Sequence, residues 1–129
     1  MRETESPESA LHAYIRAFET LDPEAAAPFY HVPSMFIAAQ GVSAVPDAET
    51  ARALLSQFMA QLRSQSYQRS EVLDLTVRHL SPVLASCAGT FVRFNTAGEE
   101  IARFGFTYTM RHSGSWKIVV AIIHEPLAT

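Results

Sequence analysis

Residues 104–124 read FGFTYTMRHSGSWKIVVAIIH, and this stretch decides the fold. Phe104, Phe106, Tyr108 and Met110 alternate with Thr107, Thr109 and Arg111, the two-residue period of a strand with one face on a core and the other in water. His112-Ser113-Gly114-Ser115 supplies turn residues, and Trp116, Ile118, Val120, Ile122 and His124 then share one parity of a last strand. Strands joined by so short a turn are antiparallel.

Working back along the chain, Val83–Phe94 reads as the preceding strand, closed onto the next one by Asn95-Thr96-Ala97-Gly98. Before it, Leu73, Leu75 and Val77 alternate with Asp74, Thr76 and Arg78 until Ser81-Pro82 breaks the run. No helical segment separates these strands after Tyr67, which rules against a doubly wound parallel sheet. The first half is helical instead. Ser6 caps a helix that starts at Pro7 and gathers Leu11, Tyr14, Ile15, Phe18 and Leu21 on one face. Asp22 caps a second helix over Glu24–Ala27, and Pro28 ends it, with Phe29-Tyr30-His31 as a turn. Ser34–Ala39 reads as a short strand paired through Gln40-Gly41 with Val42–Val45. Asp47 or Thr50 then caps the longest helix, whose stripe is Ala51, Leu54, Leu55, Phe58, Met59 and Leu62. Helices in the first half and strands in the second predict an α+β fold, a strongly curved antiparallel sheet with a mixed edge wrapped around the helices.

The 129 residues suit one domain, since domains run to roughly 100–150 residues. We read residues 1–129 as a single unit with its core over about 6–126; Met1–Thr4 and Leu127–Thr129 are candidates for disorder. With 48% hydrophobic residues the composition argues against a disordered chain, and no run of about 20 apolar residues spans a membrane. Ten basic against 13 acidic residues, net charge -3, argue against a phosphate-backbone binder, so no nucleic acid is expected. The lone Cys87 rules out an intrachain disulfide framework, and in mid-strand with no basic neighbour it reads as an inert buried thiol. The opening MRETESPESA is polar and acidic rather than a secretory leader, which with the single thiol predicts a cytoplasmic protein. The five histidines show no metal-ligand spacing, so no metal or other cofactor is expected.

The helix carrying Leu11, Tyr14, Ile15 and Phe18, the short Pro-containing helix, the strand pair, the third helix and the hairpin meander ending in Ser113-Gly114-Ser115-Trp116-Lys117-Ile118 resemble the nuclear transport factor 2-like superfamily. That superfamily includes ketosteroid-isomerase-like and SnoaL-like domains, and the likeness spans about Ser6 to Pro126. It implies a cone with a pocket at its wide end, Trp116 anchored in the core, and a homodimer formed through the outer sheet face. Members include isomerases, dehydratases and cyclases as well as non-catalytic modules, and fold alone does not choose among them.

In ketosteroid-isomerase-like enzymes a carboxylate near the first strands is the base; here Ser34–Gln40 contains no acid, and Phe104–Met110 has none either. Asp74 has the parity opposite to Leu73, Leu75 and Val77 and faces water or a dimer partner. His124, on the parity of Trp116, is the candidate general base, or else a hydrogen-bonded histidine at the rim. Tyr14 is the candidate oxyanion donor or a core aromatic, and Tyr108 is weighed in the same way. Phe18, Phe36, Phe58 and Trp116 would supply apolar walls. His31 would sit at the mouth, or cap backbone groups in a turn. Leu84, Ala88, Val92 and Phe94 form as good a core as the parity of Arg93, which favours Arg93 facing outward, with Glu100 as partner; facing inward it would bind a carboxylate or other anion. The expectation is a pocket for a small, largely apolar molecule, serving proton transfer on a carbonyl compound if the protein is an enzyme; the alternative is a non-catalytic dimerisation or ligand-binding module.

Overall fold

The computed structural model describes residues 5–125, so Pro126, read as the stop of the last strand, and both stretches read as disordered lie outside the described residues. The elements in chain order are α1 (Pro7–Glu19), α2 (Pro23–Ala26) running into a 3-10 turn (Ala27–Phe29), β1 (Tyr30–Ala38), β2 (Gly41–Val45), α3 (Ala48–Ser64), β3 (Tyr67–Ser81), β4 (Leu84–Asn95), β5 (Glu100–His112) and β6 (Trp116–His124).

Local chemistry starts each helix where the sequence places it. The Ser6 hydroxyl accepts from the Ser9 amide at 3.0 Å while the Ser9 hydroxyl accepts from the Ser6 amide at 2.9 Å, a reciprocal cap. Leu11, Tyr14, Ile15 and Phe18 are the face that α1 buries. The Asp47 carboxylate accepts from the Thr50 amide at 2.8 Å and opens α3, which buries Ala51, Leu55, Met59 and Leu62.

The six strands form one sheet in the order β2-β1-β6-β5-β4-β3. All neighbours are antiparallel except β1 and β6, which run parallel. The meander and the mixed edge are therefore as expected. The first strand, however, begins at Tyr30 rather than Ser34, and Tyr30 and His31 belong to it rather than to a turn. Pro33 is accommodated because the β1–β6 register shifts between Tyr30 and Met35, where no continuous ladder demands its missing N–H. Leu11 and Phe18 of α1, Leu55 and Met59 of α3, and Cys87, Phe91, Phe106, Tyr108, Met110 and Ile118 of the sheet join in one core.

Extra residues in the strands overturn several parity readings. Met110 pairs with Ile118 but Thr109 with Val120, which leaves Val119 as an added residue in β6. Trp116 and Ile118 face the core before it, Ala121 and Ile123 after it, and Val120, Ile122 and His124 turn outward. Trp116 and His124 thus lie on opposite sides of the sheet. In β3 the same thing happens between Leu73 and Thr76, where Asp74 adopts φ 57° and is exposed. Val72, Leu75 and Val77 face the core, and Leu73 does not share their side.

Candidate functional site

Between α1 and the sheet lies a cleft of about 260 Å3, a volume that includes open solvent at its mouth. Tyr14, Ile15 and Phe18 of α1 form one wall; Ser70 of β3, Phe91 and Arg93 of β4 and Tyr108 of β5 form the other. Register explains the second wall. Ser70 is opposite Arg93 on β4, Arg93 is opposite Ala102, and Cys87 is opposite Tyr108, so one side of the sheet carries them all. Arg93 therefore points inward, against the outward preference read from the sequence. Leu84, Ala88, Val92 and Phe94 all take the other side of β4, and Glu100 pairs with Arg103 instead. The Arg93 guanidinium carbon lies 5.4 Å from the Phe18 ring centroid and 4.7 Å from that of Phe104, a cation–π sandwich.

The tyrosines form a linked set. The Tyr14 and Tyr30 hydroxyls are 2.6 Å apart and their rings meet edge-on at 5.4 Å, while Tyr14 and Tyr108 are 6.5 Å apart. Tyr67 shares a 2.7 Å hydrogen bond with Ser70 and packs its ring 6.1 Å from Phe18. Burial pushes the Tyr14, Tyr30 and Tyr108 phenols well above their ordinary range, with the Arg93 charge pulling the other way. They are neutral donors at any physiological pH. Phe91 stacks on Phe106 at 4.1 Å and closes the floor.

A second cleft of about 280 Å3, again including open solvent, lies between β1, β2 and α3. Phe36 and Phe58 meet there at 5.1 Å, together with Tyr30, Ser34, Leu54 and Leu55. The pocket expected from the sequence is thus divided: Tyr14, Phe18, Arg93 and Tyr108 line the first cleft, Phe36 and Phe58 the second. Trp116 lines neither. It is buried at the far end of β6 beside His79 and His112, and its amide donates to the Glu5 carboxylate at 2.9 Å.

His124 is exposed on the outer face, over Gly105; its Nδ1 donates to the Glu125 carbonyl at 2.9 Å and its Nε2 accepts from the Thr107 hydroxyl at 3.3 Å. His31 is on that side too, with Nδ1 donating to the Pro33 carbonyl at 2.9 Å and Nε2 accepting from Arg111 at 3.1 Å. Neither imidazole lines a cleft. Cys87 is buried, 3.6 Å from the Met110 sulfur, and desolvation pushes its thiol up to about 11. Among the described residues no group of three or more histidine, cysteine, aspartate or glutamate side chains is placed to hold a metal ion. No helix of the described residues is long and apolar enough to cross a membrane.

Sequence reading missed Ser70, Phe91 and Tyr30 as participants. Ser70 is hidden by the extra residue at Asp74, which reverses the parity counted from Leu73. An aspartate amid alternating apolar residues is the available sign, because Asp tolerates positive φ better than most residues.

A bent, open mixed sheet with helices on its hollow side and a cleft beneath α1 defines the nuclear transport factor 2-like class. The match to the family described as NTF2-like protein (DUF6841) runs over residues 4–126, and the chain belongs to that family. No curated protein sequence matches it. Among solved structures it is similar to a putative calcium/calmodulin-dependent protein kinase II association domain from Xanthomonas campestris, with TM-score 0.72 and 16% identity over 100% of this chain and 99% of that one. A domain of unknown function with a cystatin-like fold from Nostoc punctiforme has TM-score 0.74 and 20% identity over 98% and 81%. A ketosteroid isomerase-like protein from Erwinia carotovora atroseptica has TM-score 0.64 and 17% identity over 94% of both chains.

Proposed function

We propose that the cleft under α1 binds a small, largely apolar molecule and that the chain works as a ligand-binding NTF2-like module. One observation carries this reading: polar donors from α1 and the sheet, Tyr14, Tyr108 and Arg93, converge on a cleft otherwise walled by Ile15, Phe18 and Phe91. Few polar groups in an apolar concavity is what a ligand site requires. Much of the 260 Å3 is open solvent, so the enclosed space is far below the roughly 300–1,000 Å3 of drug-sized sites and the ligand is small, held at the mouth of the cleft.

Proton transfer has less support. A tyrosine hydroxyl in this place suits an oxyanion, but the base expected in His124 lies on the other side of the sheet, and among the described residues no carboxylate or histidine lines the cleft. The similar ketosteroid isomerase-like protein and kinase association domain bear on the fold alone at their identities. Homodimerisation through the outer sheet face belongs to the same proposal, supported by half-buried Val120 and Ile122 beside Thr107 and Thr109. Sedimentation velocity would return a monomer if that part is wrong. The cytoplasmic location keeps the sequence argument from one free thiol.

A fragment library followed by amide NMR tests the binding site. Neutral and charged aromatic or branched fragments should shift the Phe18, Arg93 and Tyr108 signals, and Phe18→Ala should weaken them. A library that leaves those three signals unmoved removes the reading.

A further inference from the structure

Arg93 is half-buried in the wall of the cleft. Its Nε is buried without a hydrogen-bond partner. Ion pairs among the described residues join His12 to Glu8, Arg52 to Glu24, Arg69 to Glu71 and Arg103 to Glu100, and none involves Arg93. Glu19, placed near by its bond to the Ser70 amide, forms no ion pair with it. The flanking Phe18 and Phe104 rings offset part of the lost hydration through cation–π contact, yet they leave the buried Nε–H unsatisfied. A buried N–H left unpaired costs free energy, and on a half-buried cation at the wall of a cleft it marks a place that an acceptor from outside the chain can complete.

The surroundings specify what that is. Tyr108 faces the same cleft as a neutral phenol with no hydrogen-bond partner among the described residues. Tyr14 can keep its proton for the cleft when Tyr30 donates to it. These groups offer donors, and among acceptor-only ligand groups an ionised carboxylate, unlike a ketone or ester carbonyl, also brings a charge for the guanidinium and two oxygens that match its fork. A single positive charge matches a monoanion better than a phosphate. Ile15, Phe18 and Phe91 leave an apolar seat beside it.

We infer that the ligand of this cleft is a small monocarboxylate, its carboxylate on Arg93 and the tyrosine hydroxyls and its apolar or aromatic body against Ile15, Phe18 and Phe91. This rests on the reading that the cleft binds a small molecule and names the class of that molecule. It also assigns Arg93 a ligand-holding role that works against the stability of the unliganded fold.

The experiment compares benzoate with benzamide, and hexanoate with hexanamide, by NMR titration of the full chain at neutral pH. At least one acid should bind roughly ten- to a hundredfold tighter than its amide, because the cation then meets a charged pair of oxygens rather than one neutral oxygen and an NH2 donor. Arg93→Met should erase that preference while the unliganded variant melts at or above the wild-type temperature. Tyr108→Phe, which keeps the shape, should weaken the acid more than the amide, so the test does not hang on Arg93→Met folding. Amides that bind as well as the acids would overturn the anionic assignment and leave the small-molecule reading standing, as would neutral fragments that bind where neither acid does. A melting temperature that falls in Arg93→Met, with no acid preference in the wild type, would make Arg93 a structural residue. No binding by fragments of any charge would instead sink the earlier reading.

Discussion

The two clefts lie on either side of the Tyr14–Tyr30 hydrogen bond and differ little in size, about 260 against 280 Å3. Their chemistry is opposite. The first presents a cation without an ion-pair partner and, among the described residues, a Tyr108 phenol without a hydrogen-bond partner; the second is almost wholly apolar, with the buried Ser34 hydroxyl as its unpartnered polar atom. A neutral hydroxyl left unbonded offers a ligand no charge, whereas a half-buried guanidinium with an orphaned Nε offers both a charge and a free donor. Volume therefore does not separate a site from a packing defect. Unsatisfied donors aimed into the space do.

That contrast can be broken most forcefully at the second cleft. Leu55 is only 2% exposed and lines it, so Leu55→Ala should cost about 2–5 kcal/mol in urea unfolding. It should leave fragment binding at Phe18 and Tyr108 unchanged; loss of that binding would show the clefts to be one functional unit.

The alkaline limb comes next. All four tyrosines are raised above the ordinary value of 10.0, first by burial. The folded state therefore favours the neutral phenols, a stabilisation complete below about pH 10 and lost as pH climbs beyond it, where the unfolded chain ionises first. Each phenol that stays neutral contributes a slope of about 1.4 kcal/mol per pH unit there. Phenolate absorbance should emerge together with loss of circular dichroism. An ordinary titration near pH 10 in a still-folded protein would mean that the first cleft is wetter than its geometry.

Tyr14→Phe sharpens the boundary between the clefts. It removes one partner of the 2.6 Å bond and should cost about 1–2 kcal/mol. Tyr30→Phe should cost a similar amount but leave the first cleft's donors in place, so only Tyr14→Phe should weaken a bound fragment. At the small end, Ser6→Ala removes the α1 cap for about 1 kcal/mol by thermal melting. The matching feature of α3 is Asp47, held below the ordinary carboxylate value by Thr50. Its contribution is present above that value and fades as pH falls through the lowered one; Asp47→Asn should flatten the acid limb without touching the alkaline one.

Much of this was legible in the chain. Ser6-Pro7, Asp22 and Asp47 each cap the helix they were read to cap, and the turns at Asn95–Gly98 and His112–Ser115 join antiparallel strands as their residues demand. Half of the site was legible too, since the α1 stripe placed Tyr14 and Phe18 on one face. What failed was side-of-sheet counting. Ile118–Ile123 is apolar at every position, so either parity reads as core and nothing marks Val119 as the added residue. The same double apolarity in β4 concealed which way Arg93 points.

The sequence by itself determined the element order, the caps, the turns and the antiparallel meander, because these depend on residues adjacent along the chain. Tertiary structure alone decided that Arg93 shares a cleft with Tyr14 and Tyr108 while His124 faces away. Parity holds only until the next inserted residue, and where that residue falls is set by hydrogen-bond register against a neighbouring strand.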